Sequence, residues 1–145
     1  MKNTPHQNHL RRGRYSQPNQ IYHVITNTKN RQPIFKNDQF ARILIQQLMV
    51  QSPHASTLAF VVMPDHLHWL LQINQKQTLS AILKSVKANT AQAIGCPIWQ
   101  SGYYDHAIRK DEDIMNIARY IIANPIRAGL VKKVGDYPHW DAVWL

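Results

Sequence analysis

The sequence predicts an α+β domain, and three observations predict it. Runs rich in β-branched and aromatic residues (Gln20 to Thr28, Thr57 to Met63, His66 to Ile73, Ile98 to Arg109) alternate with segments whose apolar residues recur at three and four. Proline and glycine punctuate the boundaries, as at Pro53, Gly95 and Gly102. Finally, the run after Pro64-Asp65 is two-faced. Successive strand residues point to opposite sides, so Leu67, Trp69, Leu71 and Ile73 form a wholly apolar face opposite His66, His68, Leu70 and Gln72.

Taken in order, residues 1 to 19 are polar and basic, contain Pro5, Gly13 and Pro18, and lack periodicity; they read as an arm that orders against a partner. Residues 20 to 145 form one domain, long enough to bury about two thirds of its unfolded surface. Gln20 to Thr28 is the first strand. Asn37 or Asp38 caps a helix to about Gln51, with Phe40, Ile43, Leu44 and Leu48 at helical spacing, and Pro53 ends it. Thr57 to Met63 is a buried strand, and the proline that follows predicts a bulge or tight break before the histidine strand. Thr78 caps a helix that Gly95 terminates, its Leu79, Ile82, Leu83 and Val86 inward, Lys84 and Lys87 outward. A last strand runs from Ile98 to Arg109, entered through Ser101-Gly102; its His106 reads first as a satisfied structural histidine, with an approach to the site as the alternative.

Asp111, Glu112 and Asp113 complement the dipole of the next helix. Ile114, Ile117, Ala118 and Ile121 form its apolar stripe; Asn116, Tyr120 and Asn124 form a second stripe at spacing four. Pro125 places Asn124 at the helix end. Gly129 ends a short further turn, and Trp140 and Trp144 tack down the tail.

Charge narrows the partners. The net charge is +9, and residues 1 to 37 carry Lys2, Arg11, Arg12, Arg14, Lys29, Arg31 and Lys36 with no acid. Such one-sided charge attracts polyanions, nucleic acid first, although a merely solvated basic surface has the same composition. The four Trp and six Tyr offer faces for unpaired bases. No apolar run is long enough to span a membrane, the N-terminus has no apolar signal region, and Cys96 is the single cysteine; these favour the cytoplasm.

His66 and His68 point the same way. Spacing alone leaves two readings open: a metal-binding pair, or two half-exposed histidines on the open face of a sheet. Residues four apart on a helix lie about 6 Å apart at Cβ, so the Tyr120 hydroxyl and the Asn124 amide oxygen can serve one point. If the histidines serve that point too, two imidazoles, an amide oxygen and a phenol surround a metal with open positions for phosphate oxygens. The bland alternative is a tyrosine whose ring half-covers the core edge.

The stretches Met63-Pro64-Asp65-His66-Leu67-His68-Trp69-Leu70-Leu71 and Tyr120-Ile121-Ile122-Ala123-Asn124-Pro125-Ile126-Arg127-Ala128-Gly129-Leu130-Val131 closely resemble the REP-associated tyrosine transposases, single-tyrosine members of the His-hydrophobic-His (HUH) endonucleases. Arg12-Gly13-Arg14-Tyr15, Ile21-Tyr22-His23-Val24, Trp99-Gln100-Ser101-Gly102-Tyr103-Tyr104-Asp105-His106 and Tyr137-Pro138-His139-Trp140-Asp141 look like the same family. The resemblance implies a ferredoxin-like antiparallel sheet with helices packed on one face and the histidines on central strands. It implies Tyr120 as nucleophile, with His66, His68 and Asn124 as ligands of Mg²⁺ or Mn²⁺; imidazole suits Mn²⁺ better.

The activity so implied is cleavage and rejoining of single-stranded DNA at the hairpins of repetitive extragenic palindromes through a 5′-phosphotyrosine. That intermediate conserves the energy of the phosphodiester bond, so no nucleotide cofactor is needed, in keeping with the lack of a Gly-rich phosphate loop. Arg11, Arg12, Arg14 and Tyr15 are the expected DNA contacts, by phosphate pairing and stacking, with Lys84 and Lys87 secondary. No sequence feature decides between monomer and homodimer. Two other functions compete: a non-catalytic regulator that binds structured nucleic acid, and a metal hydrolase using His66, His68 and water.

Overall fold

The computed structural model describes residues 19–74, 77–109 and 111–144, with the side chains of Asp111 and Glu112 outside the description. The arm with Arg11, Arg12, Arg14 and Tyr15 lies outside the described residues. The elements in chain order are β1 (Ile21–Asn27), α1 (Asp38–Val50), β2 (Ala55–Met63), β3 (His66–Ile73), α2 (Leu79–Ile94), β4 (Tyr104–Ile108), α3 (Asp111–Ile122), the single turn α4 (Asn124–Arg127) and β5 (Trp140–Ala142). All strand pairs are antiparallel in the order β4-β1-β3-β2-β5. The first four strands have the ferredoxin-like order, with β5 added beside β2. β3 is central.

Local chemistry accounts for the boundaries. The Asn37 carboxamide oxygen accepts from the backbone N–H of Gln39 (2.9 Å) and Phe40 (3.2 Å), satisfying two donors that the first turn of α1 leaves unpaired. Thr78 Oγ1 accepts from Ala81 N–H in the same way, and Gly95 ends α2 at a φ of 102° that a side chain would resist. Pro64-Asp65 is a two-residue turn, since Met63 pairs directly with His66; the register irregularity falls earlier, between Thr57 and Ala59. The break expected at the proline is therefore a hairpin turn.

The sheet is packed on both faces. On one, Leu44 and Leu48 of α1 and Leu79, Ile82, Leu83 and Val86 of α2 form a core with Phe60, Val62, Leu67, Trp69, Leu71 and Ile73. Trp69 is fully buried, and its indole N–H donates to Thr57 Oγ1 at 2.9 Å, so no polar group is orphaned. On the other face α3 sets Ala118 and Ile121 among Ala59, Val61, Met63 and Leu70. Thus α1 and α2 share one face as expected, whereas α3 crosses the histidine face; its apolar stripe is the one read from sequence, and it is received by Ala59, Val61 and Met63 of β2 with Leu70 of β3.

Two other expectations change. The strand expected over Ile98 to Arg109 is confined to Tyr104–Ile108, because the chain turns at Gly102 (φ 80°); upstream, Trp99 makes only an isolated bridge with Thr28. The tail is held by Trp140, whose indole N–H donates to Val134 O, and by Tyr137, whose hydroxyl donates to Val62 O; Trp144 is exposed. No helix among the described residues is long and apolar enough to cross a membrane.

Candidate active site

The pleat of β3 sets His66 and His68 on the face that α3 only partly covers, with ring centroids 5.0 Å apart. Each Nδ1 is engaged. The Nδ1 of His66 meets Asp65 Oδ1 at 2.7 Å, and the other carboxylate oxygen accepts from Arg31 Nε at 3.1 Å. Burial would raise the Asp65 carboxyl, but the bonds from His66 and Arg31 outweigh it and hold the group below its ordinary value. The Pro64-Asp65 turn is itself gripped from the loop after β1: Thr28 N–H donates to Asp65 O and Phe35 N–H to Pro64 O. Arg31 reaches the carboxylate from a backbone in the left-handed region (φ 54°).

His68 is nearly inaccessible, and its Nδ1 lies 3.0 Å from Nε2 of His23 on β1, another buried histidine. Desolvation, reinforced by the neighbouring imidazoles and Arg127, pushes His68 down to about 2; desolvation and His106 push His23 down to about 4. His66 is lowered too, by burial, against the opposing pull of Asp65. Near neutral pH these rings are uncharged. The engaged Nδ1 atoms leave Nε2 of His66 and His68 as the ring nitrogens over.

Tyr120 is half exposed on α3, with its ring centroid 6.0 Å from that of His68 and 6.5 Å from that of His23. Arg127 lies over the phenol, its guanidinium carbon 3.9 Å from the ring centroid, and donates from Nη2 to the Tyr120 carbonyl at 2.6 Å. Asn124 donates from Nδ2 to the carbonyls of Tyr120 (3.2 Å) and Ile121 (3.1 Å). Together the two side chains cap the end of α3 and hold the tyrosine's own turn. With its amide N–H groups so used, Asn124 keeps Oδ1 as its acceptor.

Of the residues singled out from sequence, the fold brings His66, His68 and Tyr120 together, and Asn124 lies at the helix end one turn beyond Tyr120. Lys84 and Lys87 are elsewhere, on α2 across the sheet. Lys84 is exposed; Lys87 is turned inward instead of outward, half buried, donating to the carbonyls of Gln100 (3.0 Å) and Gly102 (2.7 Å). His106, read as a structural histidine, is exposed and pairs across from His23 on the site's face. Sequence reasoning gave no role to His23 or Arg127. Strand parity marks His23 only once the register of β1 against β3 is known, and Arg127 lies beyond the Pro125 break.

A histidine pair on a central strand, facing a tyrosine held at a helix end, defines a class. Residues 16–124 match the family model of the IS200-like transposases, and the chain belongs to that family. Within it, the chain is 34% identical over 82 residues to the REP-associated tyrosine transposase of Escherichia coli K12, a match covering 55% of this chain and 50% of that protein. It spans about half the length of the curated relatives it matches. Its fold is similar to the solved structure of a REP-associated tyrosine transposase bound to a REP hairpin, with a TM-score of 0.74 and 26% identity over 88% of this chain and 79% of that one.

Proposed function

We propose that this chain is a transposase that cleaves and rejoins single-stranded DNA at REP-type hairpins, with Tyr120 as nucleophile. The observation that carries the reading is the placement of a half-exposed, Arg127-stacked Tyr120 with its ring 6.0 Å from His68. The phenolic oxygen forms a bond to the scissile phosphorus while the bond to the 3′ oxygen breaks, giving a 5′-phosphotyrosine and a free 3′-hydroxyl. The proton lost by the phenol balances the one gained by the leaving oxygen. Attack by a 3′-hydroxyl on the phosphotyrosine reverses the step and rejoins DNA.

The donor set fits a divalent ion. Among the described residues no three His, Cys, Asp or Glu side chains cluster to hold one; the set we propose is two imidazoles and an amide oxygen. Nε2 of His66 and His68 and Oδ1 of Asn124 would hold Mg²⁺ or Mn²⁺. The Asp65 carboxylate, an acceptor only, leaves the proton of His66 on Nδ1, and the contact with His23 permits the same tautomer of His68 when His23 accepts. When bound, the ion supplies Lewis-acid polarisation of a non-bridging phosphate oxygen. The cationic Arg127 beside the phenol favours the approach of a phosphate.

The basic arm with Arg11, Arg12, Arg14 and Tyr15 supplies phosphate pairing and stacking, and Lys84 a further contact. Deleting residues 1–14 should weaken hairpin binding and flatten its salt dependence. The decisive experiment incubates the protein with end-labelled hairpin DNA and Mn²⁺ and resolves the products on a denaturing gel. Wild type should give a denaturant-resistant protein–DNA band, and Tyr120→Phe none while still binding. Cleavage without such a band would point to a water nucleophile.

A further inference from the structure

A cavity of about 450 Å³ opens between α2 and the loop that leads into β4, away from the histidine face, and the chemistry proposed at Tyr120 does not use it. Its walls carry two lysines, Lys84 and Lys87, two aromatic rings, Trp99 and Tyr103, and no carboxylate. Lys87 is unusual. It is half buried, which lowers its pKa, and it is held in place by the Gln100 and Gly102 carbonyls with its ammonium 5.8 Å from the Trp99 ring centroid. Trp99 is fixed in turn, its indole N–H donating to Lys87 O at 3.0 Å, and Tyr103 is anchored by a 2.8 Å bond between its hydroxyl and Ser80 Oγ. A rigid aromatic wall beside basic nitrogens suits a planar, electron-rich ring joined to a phosphate.

We propose that this cavity binds one unpaired nucleotide of the DNA strand engaged at Tyr120, its base against Trp99 and Tyr103 and its phosphate toward Lys84. The inference rests on the DNA-cleaving reading of the site. Chain geometry joins the two places. Tyr103 lines the cavity, while its neighbour Tyr104 pairs with Ile25, which pairs with His68. Two strand spacings, about 10 Å, therefore separate Tyr104 from His68, and β4 is the edge strand over which an unpaired strand passes from one face to the other. The opening is within reach of the nucleotides beside the scissile phosphate. Such stacking tolerates any base, so the cavity grips the strand without reading it.

The test uses the whole protein and hairpins with single-stranded extensions carrying 4-thiothymidine at successive unpaired positions, irradiated and mapped by peptide mass spectrometry. One position should crosslink to Trp99 or Tyr103. Ala88→Trp, which fills the cavity from an exposed helix position, should abolish that crosslink and weaken binding of the extended hairpin about tenfold. Lys84→Gln should lower the salt slope by about one. Crosslinks confined to other segments, or unchanged affinity in Ala88→Trp, would overturn the proposal. So would equal competition by millimolar free thymidine monophosphate, which would assign the cavity to a small nucleotide. Because the tyrosine adduct is scored separately, an adduct without these crosslinks sinks the cavity alone; loss of both sinks the parent reading.

Discussion

Nε2 of His23 and Nδ1 of His68 lie 3.0 Å apart across β1 and β3, with both rings buried. For Nε2 of His68 to offer a lone pair, its Nδ1 must carry the proton and His23 must accept it. The ligating tautomer of His68 thus requires His23, on the neighbouring strand, to act as acceptor. His23→Leu should lower Mn²⁺-dependent adduct formation about 10- to 100-fold, the range for loss of such a partner. His23→Gln, whose carbonyl can still accept, should recover part of it. A metal titration of adduct formation separates the two variants, and equal loss in both would mean that His23 only fills space.

Acid should unfold this protein through its histidines. His23 and His68 sit at about 4 and about 2 in the folded chain against an ordinary histidine value of 6.5, so between those limits the unfolded state binds more protons. Stability is fully present above pH 6.5 and falls as the pH drops toward 4; the His23 shift alone corresponds to about 3 kcal/mol. Urea midpoints at pH 7.0, 5.5 and 4.5 should decline in that order, and His23→Gln should flatten the decline.

Arg127 clamps the ring of Tyr120 and its carbonyl at once. Arg127→Leu should slow adduct formation at saturating DNA by about tenfold or more, as loss of transition-state positioning does. Arg127→Lys should restore little, because an ammonium lacks the planar fork that covers the ring while donating to the carbonyl. Single-turnover rates read the difference.

The core should respond most at the back of the histidine strand. Trp69→Ala removes a fully buried indole and leaves Thr57 Oγ1 without its donor, at a cost of about 3–5 kcal/mol. Denaturant unfolding at pH 7 measures it.

What could be read from the chain was what is local. Thr78 and Gly95 bound α2 as capping chemistry dictates, and strand alternation alone put His66 and His68 on one side and Trp69 on the other. The pairing of Tyr120 with the histidine strand was legible only through its spacing to Asn124 and the resemblance to a family, because it depends on a helix crossing the sheet. His23 stayed silent because its meaning is a register: Ile25 opposite His68, and hence His23 diagonal to it. Ile98 to Trp99 looks like strand by composition, but Gly102 takes the backbone out of the ladder, and the ring of Trp99 packs against Phe35 instead.

The Pro64-Asp65 turn is only two residues long, and His66 follows it at once. Side chains on a strand repeat every two positions, so adding or removing one residue there, with the pairing downstream carried along, would exchange the two sides of β3. The indole would be turned onto the face that α3 crosses, and the imidazoles would be driven into the apolar layer beneath α1 and α2. The length of this turn therefore acts as a phase setting. Substitutions within it should leave the two faces of β3 in place, whereas a single-residue indel should cost the fold and, with it, the proposed reaction.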